Sequence, residues 1–167
     1  MTQIPGHRVA AAALACIAIV APSMPGRTEG PCSPIYGVTI PPGYRQWEMI
    51  APSHEAGLDE LRVILGNPMA IGVFRDAVLP FLDGTILVKL AWKHVPLAGI
   101  DRAYLPERAT TVQVMVKDSK RYLDTGGLGF GRFINSEPMD EAQHRTCFAC
   151  HEANVDGHDY VLTRHAP

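Results

Sequence analysis

The sequence has no basic run, no internal repeat and no low-complexity tract, and its formal net charge is -2 with a pI near 6.4. Those absences exclude the electrostatic footprint of a nucleic-acid or anionic-membrane binder. The glycines at 126, 127, 129 and 131 do not make a Gly-x-Gly-x-x-Gly or Walker spacing, which excludes the usual phosphate cradles. The longest apolar stretch, Val9 to Ala21, is too short to span a bilayer. Only one closely spaced cysteine pair is present, half of what a zinc site requires, and no early βαβ unit precedes it as a thioredoxin dithiol would need. With 47% apolar and 19% charged residues, the 167-residue chain is neither disordered nor collagenous and fits one domain.

What is present is Cys147-Phe148-Ala149-Cys150-His151, the spacing of covalent haem attachment. Two thiols would bond the porphyrin vinyl groups and the imidazole would bind the iron. On a helix, positions i and i+4 share a face, so Cys147 and His151 can reach the same macrocycle. A helix from Asp140 to Cys150, starting at Ser136 or Glu137 before Pro138, is expected to carry them.

His7 and Arg8 followed by the apolar run read as a signal peptide over residues 1–21, with cleavage between 21 and 30. Export agrees with haem attachment, which takes place in the periplasm or its equivalent. Cys16 leaves with that segment, and Cys32 is left as a free or intermolecular thiol. Residues 22–43, rich in proline and glycine, read as an extended arm with little of its own to pack.

Tyr44 to Ile50 suggests a helical turn entering a strand, and Leu61 to Leu65 a strand ended by Gly66. Asn67-Pro68 is a helix start, with Ile71, Phe74 and Val78 on one buried face and Pro80 as the stop. Thr85 to Lys93 alternates clearly as a strand, with Leu87, Lys89, Ala91 and Lys93 on one side. Thr111 to Val116 and Tyr160 to Thr163 are further strand candidates. The glycine-rich stretch suggests a strand that bends or passes close to something flat, for which a macrocycle would qualify.

The 16 residues after His151 contain no methionine. A helical electron-transfer cytochrome places its haem motif early and a methionine ligand downstream, so that class is disfavoured; the strand content opposes a four-helix bundle. A strand-rich domain with five-coordinate haem and an open ligand position remains.

Tyr44-Arg45-x-Trp47, Val63 to Pro68, Asp83 to Lys89, Met115 to Arg121, Gly126-Gly127-x-Gly129-Phe130-Gly131 and Asp159-Tyr160-Val161, together with the haem motif, resemble the cytochrome P-460 family, including cytochromes c′-beta. The resemblance runs from about Tyr44 to Arg164, within a haem domain at 44–167. It implies an α+β fold, mainly antiparallel sheet with flanking helices, one haem c near the C-terminal helix, His151 as axial ligand, a periplasmic location and a homodimer. Its enzymes oxidise hydroxylamine towards nitrous oxide by way of nitric oxide, pass electrons to a soluble acceptor and carry a lysine joined to the haem. The c′-beta members lack that bond and bind nitric oxide or carbon monoxide. The family position of the lysine points to Lys89; the alternative is that Lys89 and Lys93 are solvated. A carboxylate before the haem motif would accept a proton, which points to Glu141, although Ala142 stands beside it. His144 reads as a surface residue, Phe74, Phe81, Phe130 and Phe133 as candidates for an apolar distal wall, and Arg132 or Arg121 as partners for a haem propionate.

Overall fold

The computed structural model describes residues 30–155 and 157–166, so the expected signal segment and the first part of the arm lie outside the described residues. Six strands form one antiparallel sheet in chain order: β1 (Glu48–Glu55), β2 (Glu60–Gly66), β3 (Ile86–Pro96), β4 (Tyr104–Lys117), β5 (Leu128–Ile134) and β6 (Glu137–Pro138). Helix α1 (Pro68–Arg75) joins β2 to β3, and α2 (Glu141–Asn154) follows β6. This is the expected α+β architecture.

The alternation in β3 is not apolar against polar. Val88 and Leu90 are buried on one side, and Leu87 and Ala91 on the other, so both faces of the sheet are covered. Lys89 interrupts the second of these faces. The arm supplies part of the cover. Ser33, Tyr36 and Val38 are buried, and the Tyr36 ring meets Phe130 edge-on at 5.5 Å and Tyr122 at 6.0 Å. The described part of the arm is not extended: it turns back on itself at 34–36, bridges Cys32 to Thr39 antiparallel, and is packed into the core, contrary to expectation.

Strand β5 has little pairing on its outer side, because β6 reaches only Phe133 and Ile134. Its remaining backbone groups are closed by other parts of the chain. Thr125 Oγ1 donates to Leu128 O at 2.6 Å, Ser33 Oγ to Phe130 O at 2.7 Å, and Met139 N to Arg132 O at 2.8 Å. The Arg132 N–H donates to His144 Nε2 at 3.1 Å. An open edge is thereby satisfied without a further strand.

His144 is fully buried, not a surface residue. Its Nδ1 lies 2.8 Å from the Asp140 carbonyl, which can only accept, so Nδ1 carries the proton and Nε2 is free to accept from β5. The ring staples α2 to the sheet.

Local capping explains the helix limits. Asn67 Oδ1 accepts from Ala70 N at 2.9 Å and from Ile86 N at 3.1 Å, so the cap of α1 also anchors the start of β3. That helix ends at Arg75, three residues before the expected Val78, because Ala77 adopts a left-handed φ of 51°. Helix α2 starts after Asp140, whose side chain accepts from Gln143 N, rather than at Ser136 or Glu137, which lie in the turn and in β6. Tyr160 to Thr163 is not a strand: Asp159 and Tyr160 have φ of 49° and 59°. The Tyr160 and Val161 carbonyls meet the side chains of His151 and Arg164 instead of a ladder.

His144→Ala should lower the unfolding free energy by about 2–4 kcal/mol, since it opens a void and orphans a buried N–H. Chemical denaturation against the parent protein measures this.

Candidate haem site

In an antiparallel sheet, residues paired across strands share a face. The register sets Ile64, Lys89, Gln113 and Arg132 in one row across β2, β3, β4 and β5. Arg62, Ala91 and Thr111 form the next row on that side. Phe130, two residues from Arg132 on β5, packs edge-on against the His151 ring at 5.0 Å. This face of the sheet is therefore the one that α2 covers with its haem motif.

On α2, Cys147 and His151 are half-buried one turn apart, and Cys150 is exposed. His151 Nδ1 lies 2.7 Å from the Tyr160 carbonyl. A carbonyl only accepts, so Nδ1 bears the proton and the Nε2 lone pair is left for a metal. Burial holds His151 below its usual proton affinity; the Tyr160 carbonyl opposes this, and the nearby Lys89 charge reinforces it. The neutral ring that iron requires is thus favoured. Burial raises the Cys147 thiol, with Arg132 and Lys89 close enough to counter it in part.

Lys89 itself is half-buried. Burial, and then the charges of Arg62 and Arg132, lower its ammonium from an ordinary 10.5 to about 8, and Glu60 and Glu55 offset this only in part. Lys93, on the same strand face, differs: its ammonium donates to the Leu58 carbonyl at the far end of the sheet. Of the two lysines, Lys89 is the one whose charge is felt at both Cys147 and His151.

The buried carboxylate on this side is Glu60. Arg62 donates to its Oε2 from Nε at 3.0 Å and Nη2 at 2.8 Å, and Thr110 Oγ1 donates to Oε1 at 2.8 Å. Burial would raise Glu60, but these hydrogen bonds and the Arg62 and Lys89 charges bring it below the usual carboxylate value. Glu141 is not part of this group; it is exposed in the first turn of α2 and paired with Arg145, and Ala142 beside it is also exposed. Directly across from Lys89 stands Gln113, an amide.

Of the four phenylalanines, Phe130 touches His151. Phe133 is fully buried in the row of Val112, on the other face, and Phe74 and Phe81 pack together at 5.1 Å beside His158. Arg121 donates to the Tyr36 carbonyl and lies over the Tyr122 ring. The flat objects that Gly126, Gly129 and Gly131 admit are the aromatic rings of Tyr160, Tyr122 and Phe133. A Cβ on Gly126 would stand 2.5 Å from Tyr160, and one on Gly129 would stand 2.2 Å from Tyr122.

The residues present fit a haem. Arg132 Nε is buried without a partner among the described residues, on the face where an acidic propionate could meet it. Arg62, Gln113 and Tyr160 were not apparent as site residues in the sequence. Gln113, the polar interruption between Val112 and Val114 in a β-branched run, was the available signal for one of them.

The sequence model of the family described as Cytochrome P460 matches residues 41–163, which span the whole sheet and both helices. No curated protein matches the chain. Haem binding goes with the family.

An amine protonated only below about 8 in the fold, against 10.5 in an exposed chain, costs the fold most below pH 8 and progressively less up to 10.5. Haem-free Lys89→Met should therefore be more stable than haem-free parent at pH 7, by about 1–3 kcal/mol. That advantage should fade as the pH rises from about 8 to 10.5. Melting temperatures across this pH range would show it.

Proposed function

We propose that this chain, which belongs to the cytochrome P460 family, is a periplasmic mono-haem c-type cytochrome that oxidises hydroxylamine and has Lys89 covalently joined to the haem. The observation that carries this reading is the position of Lys89. It is a half-buried amine depressed to about 8, on the sheet face that α2 covers, with its charge felt at His151. A lysine driven towards its neutral form is the nucleophilic form that a covalent bond requires.

When bound, the haem supplies a redox-active iron and a conjugated ring. The chain's own residues divide the remaining tasks. Cys147 and Cys150 would supply the two thioether sulfurs, and His151 Nε2 the axial nitrogen, with Tyr160 O holding the opposite ring nitrogen. Arg132 would pair with a propionate. Phe130 shields the imidazole. Glu60 is the carboxylate on this face, but Arg62 and Thr110 hold it ionised and occupied. Electrons would leave to a soluble acceptor, and the working form would be a homodimer delivered by the N-terminal signal.

A second reading is favoured by Gln113. An amide cannot accept the proton that hydroxylamine releases, and Glu141 is engaged by Arg145 on the surface. On that reading the protein binds nitric oxide or carbon monoxide without a lysine bond and without turnover.

Proteolysis of the purified holoprotein separates the two. The enzyme reading predicts the Lys89 peptide in one mass with the Cys147–His151 haem peptide, and hydroxylamine turnover that falls at least a hundredfold in Lys89→Ala while haem is retained. A free Lys89 peptide in a protein that still binds nitric oxide would leave the gas-binding reading.

A further inference from the structure

Beside the haem motif stands a buried ion pair that the haem chemistry does not use. Lys117 Nζ donates to Asp159 Oδ1 at 2.8 Å and Oδ2 at 2.7 Å, and to Gly126 O at 2.9 Å. The two side chains are 7% and 11% exposed. Asp159 Oδ2 also accepts from Phe81 N at 2.8 Å. The end of β4, the glycine turn before β5 and the segment entering β3 thus converge on one ion pair. Stability is a weak reason for such a pair, because well-packed apolar residues often serve a fold at least as well.

The geometry around Tyr160 supplies a better reason. Asp159 and Tyr160 are consecutive non-glycine residues in the left-handed region, at φ of 49° and 59°, where a side chain crowds the backbone. Such a conformation persists only where its surroundings enforce it. This turn presents the Tyr160 carbonyl to His151 Nδ1 at 2.7 Å. The Tyr160 ring is confined as well, by Gly126 on one side and by Phe148, inside the haem motif, at 5.2 Å. Gly126 is therefore required twice, once for the ring and once for its own φ of 61°.

We propose that Lys117 and Asp159 are positioning residues for the iron ligand. Their ion pair locks the strained turn, fixes the Tyr160 carbonyl against the His151 Nδ1–H, and so sets how strongly His151 Nε2 donates to iron. The proposal rests on the reading that His151 is the axial ligand.

The test uses the ferrous holoprotein and the iron–histidine stretching band in its resonance Raman spectrum. Asp159→Asn keeps the left-handed preference and the acceptor for Phe81 N, and removes only the charge. Lys117→Met combined with Asp159→Asn removes both charges, so neither remains buried and alone. Both should retain haem and shift the band to lower frequency, as a loosened Nδ1–H bond makes the imidazole a weaker donor. Asn67→Ala, which removes the remote cap of α1, should lower the melting temperature without moving the band. A band unmoved in both charge variants, yet abolished in His151→Ala, would overturn the proposal alone. A band that survives His151→Ala would overturn both the proposal and the ligand assignment beneath it.

Discussion

Cations placed on the inner face of a sheet need a partner, and that requirement organises this molecule. Arg62 has one in the buried Glu60 carboxylate. Arg132 leaves Nε unpaired among the described residues, and Lys89 is pushed towards neutrality by burial and by both arginines. A flat group with acidic edges meets both needs at once, since it can lie against an apolar sheet row and offer carboxylates to a guanidinium. The haem motif faces this row from α2, and the family to which the chain belongs binds haem. On the proposed reading, the polar interruption of the sheet and the Cys147–His151 segment are two halves of one site.

The rest of the fold keeps those halves in register. Strand β5 carries Phe130 and Arg132 into the site and lies near the sheet edge, where a loose strand would slip. Ser33 from the arm, Thr125 from the preceding turn and His144 from α2 each close one of its outward backbone groups. His144 matters most, because it joins α2 directly to the backbone of Arg132. The C-terminal segment completes the frame: it leaves α2, turns at Asp159 and Tyr160, and brings Ala166 N to Ile50 O on β1.

Features governed by local rules were legible in the sequence. The Asn67 cap, the strand from Leu61 and the strand from Thr85 depend on residues a few positions apart. Features governed by register were not. Gln113 and Arg62 join Lys89 only once three strands are aligned, and the first half of β4, exposed from Tyr104 to Ala109, has no buried side to produce an alternating signal. His144 looked like a surface residue because a polar helix position shows no sign of the backbone N–H it will cap. Tyr160 to Thr163 looked like a strand by composition. The left-handed turn there is imposed by Lys117, Gly126 and Phe81, which are distant in sequence. The resemblance supplied the significance of Lys89, and the register then placed that residue opposite the motif.

The most direct measurement is a crystal structure of the holoprotein. The account predicts the porphyrin between α2 and the Lys89–Gln113–Arg132 row, with His151 Nε2 on the iron, a propionate on Arg132 and the Lys89 amine at the edge of the ring. A haem held on the solvent side of α2, with Lys89 remote from it, would contradict the account.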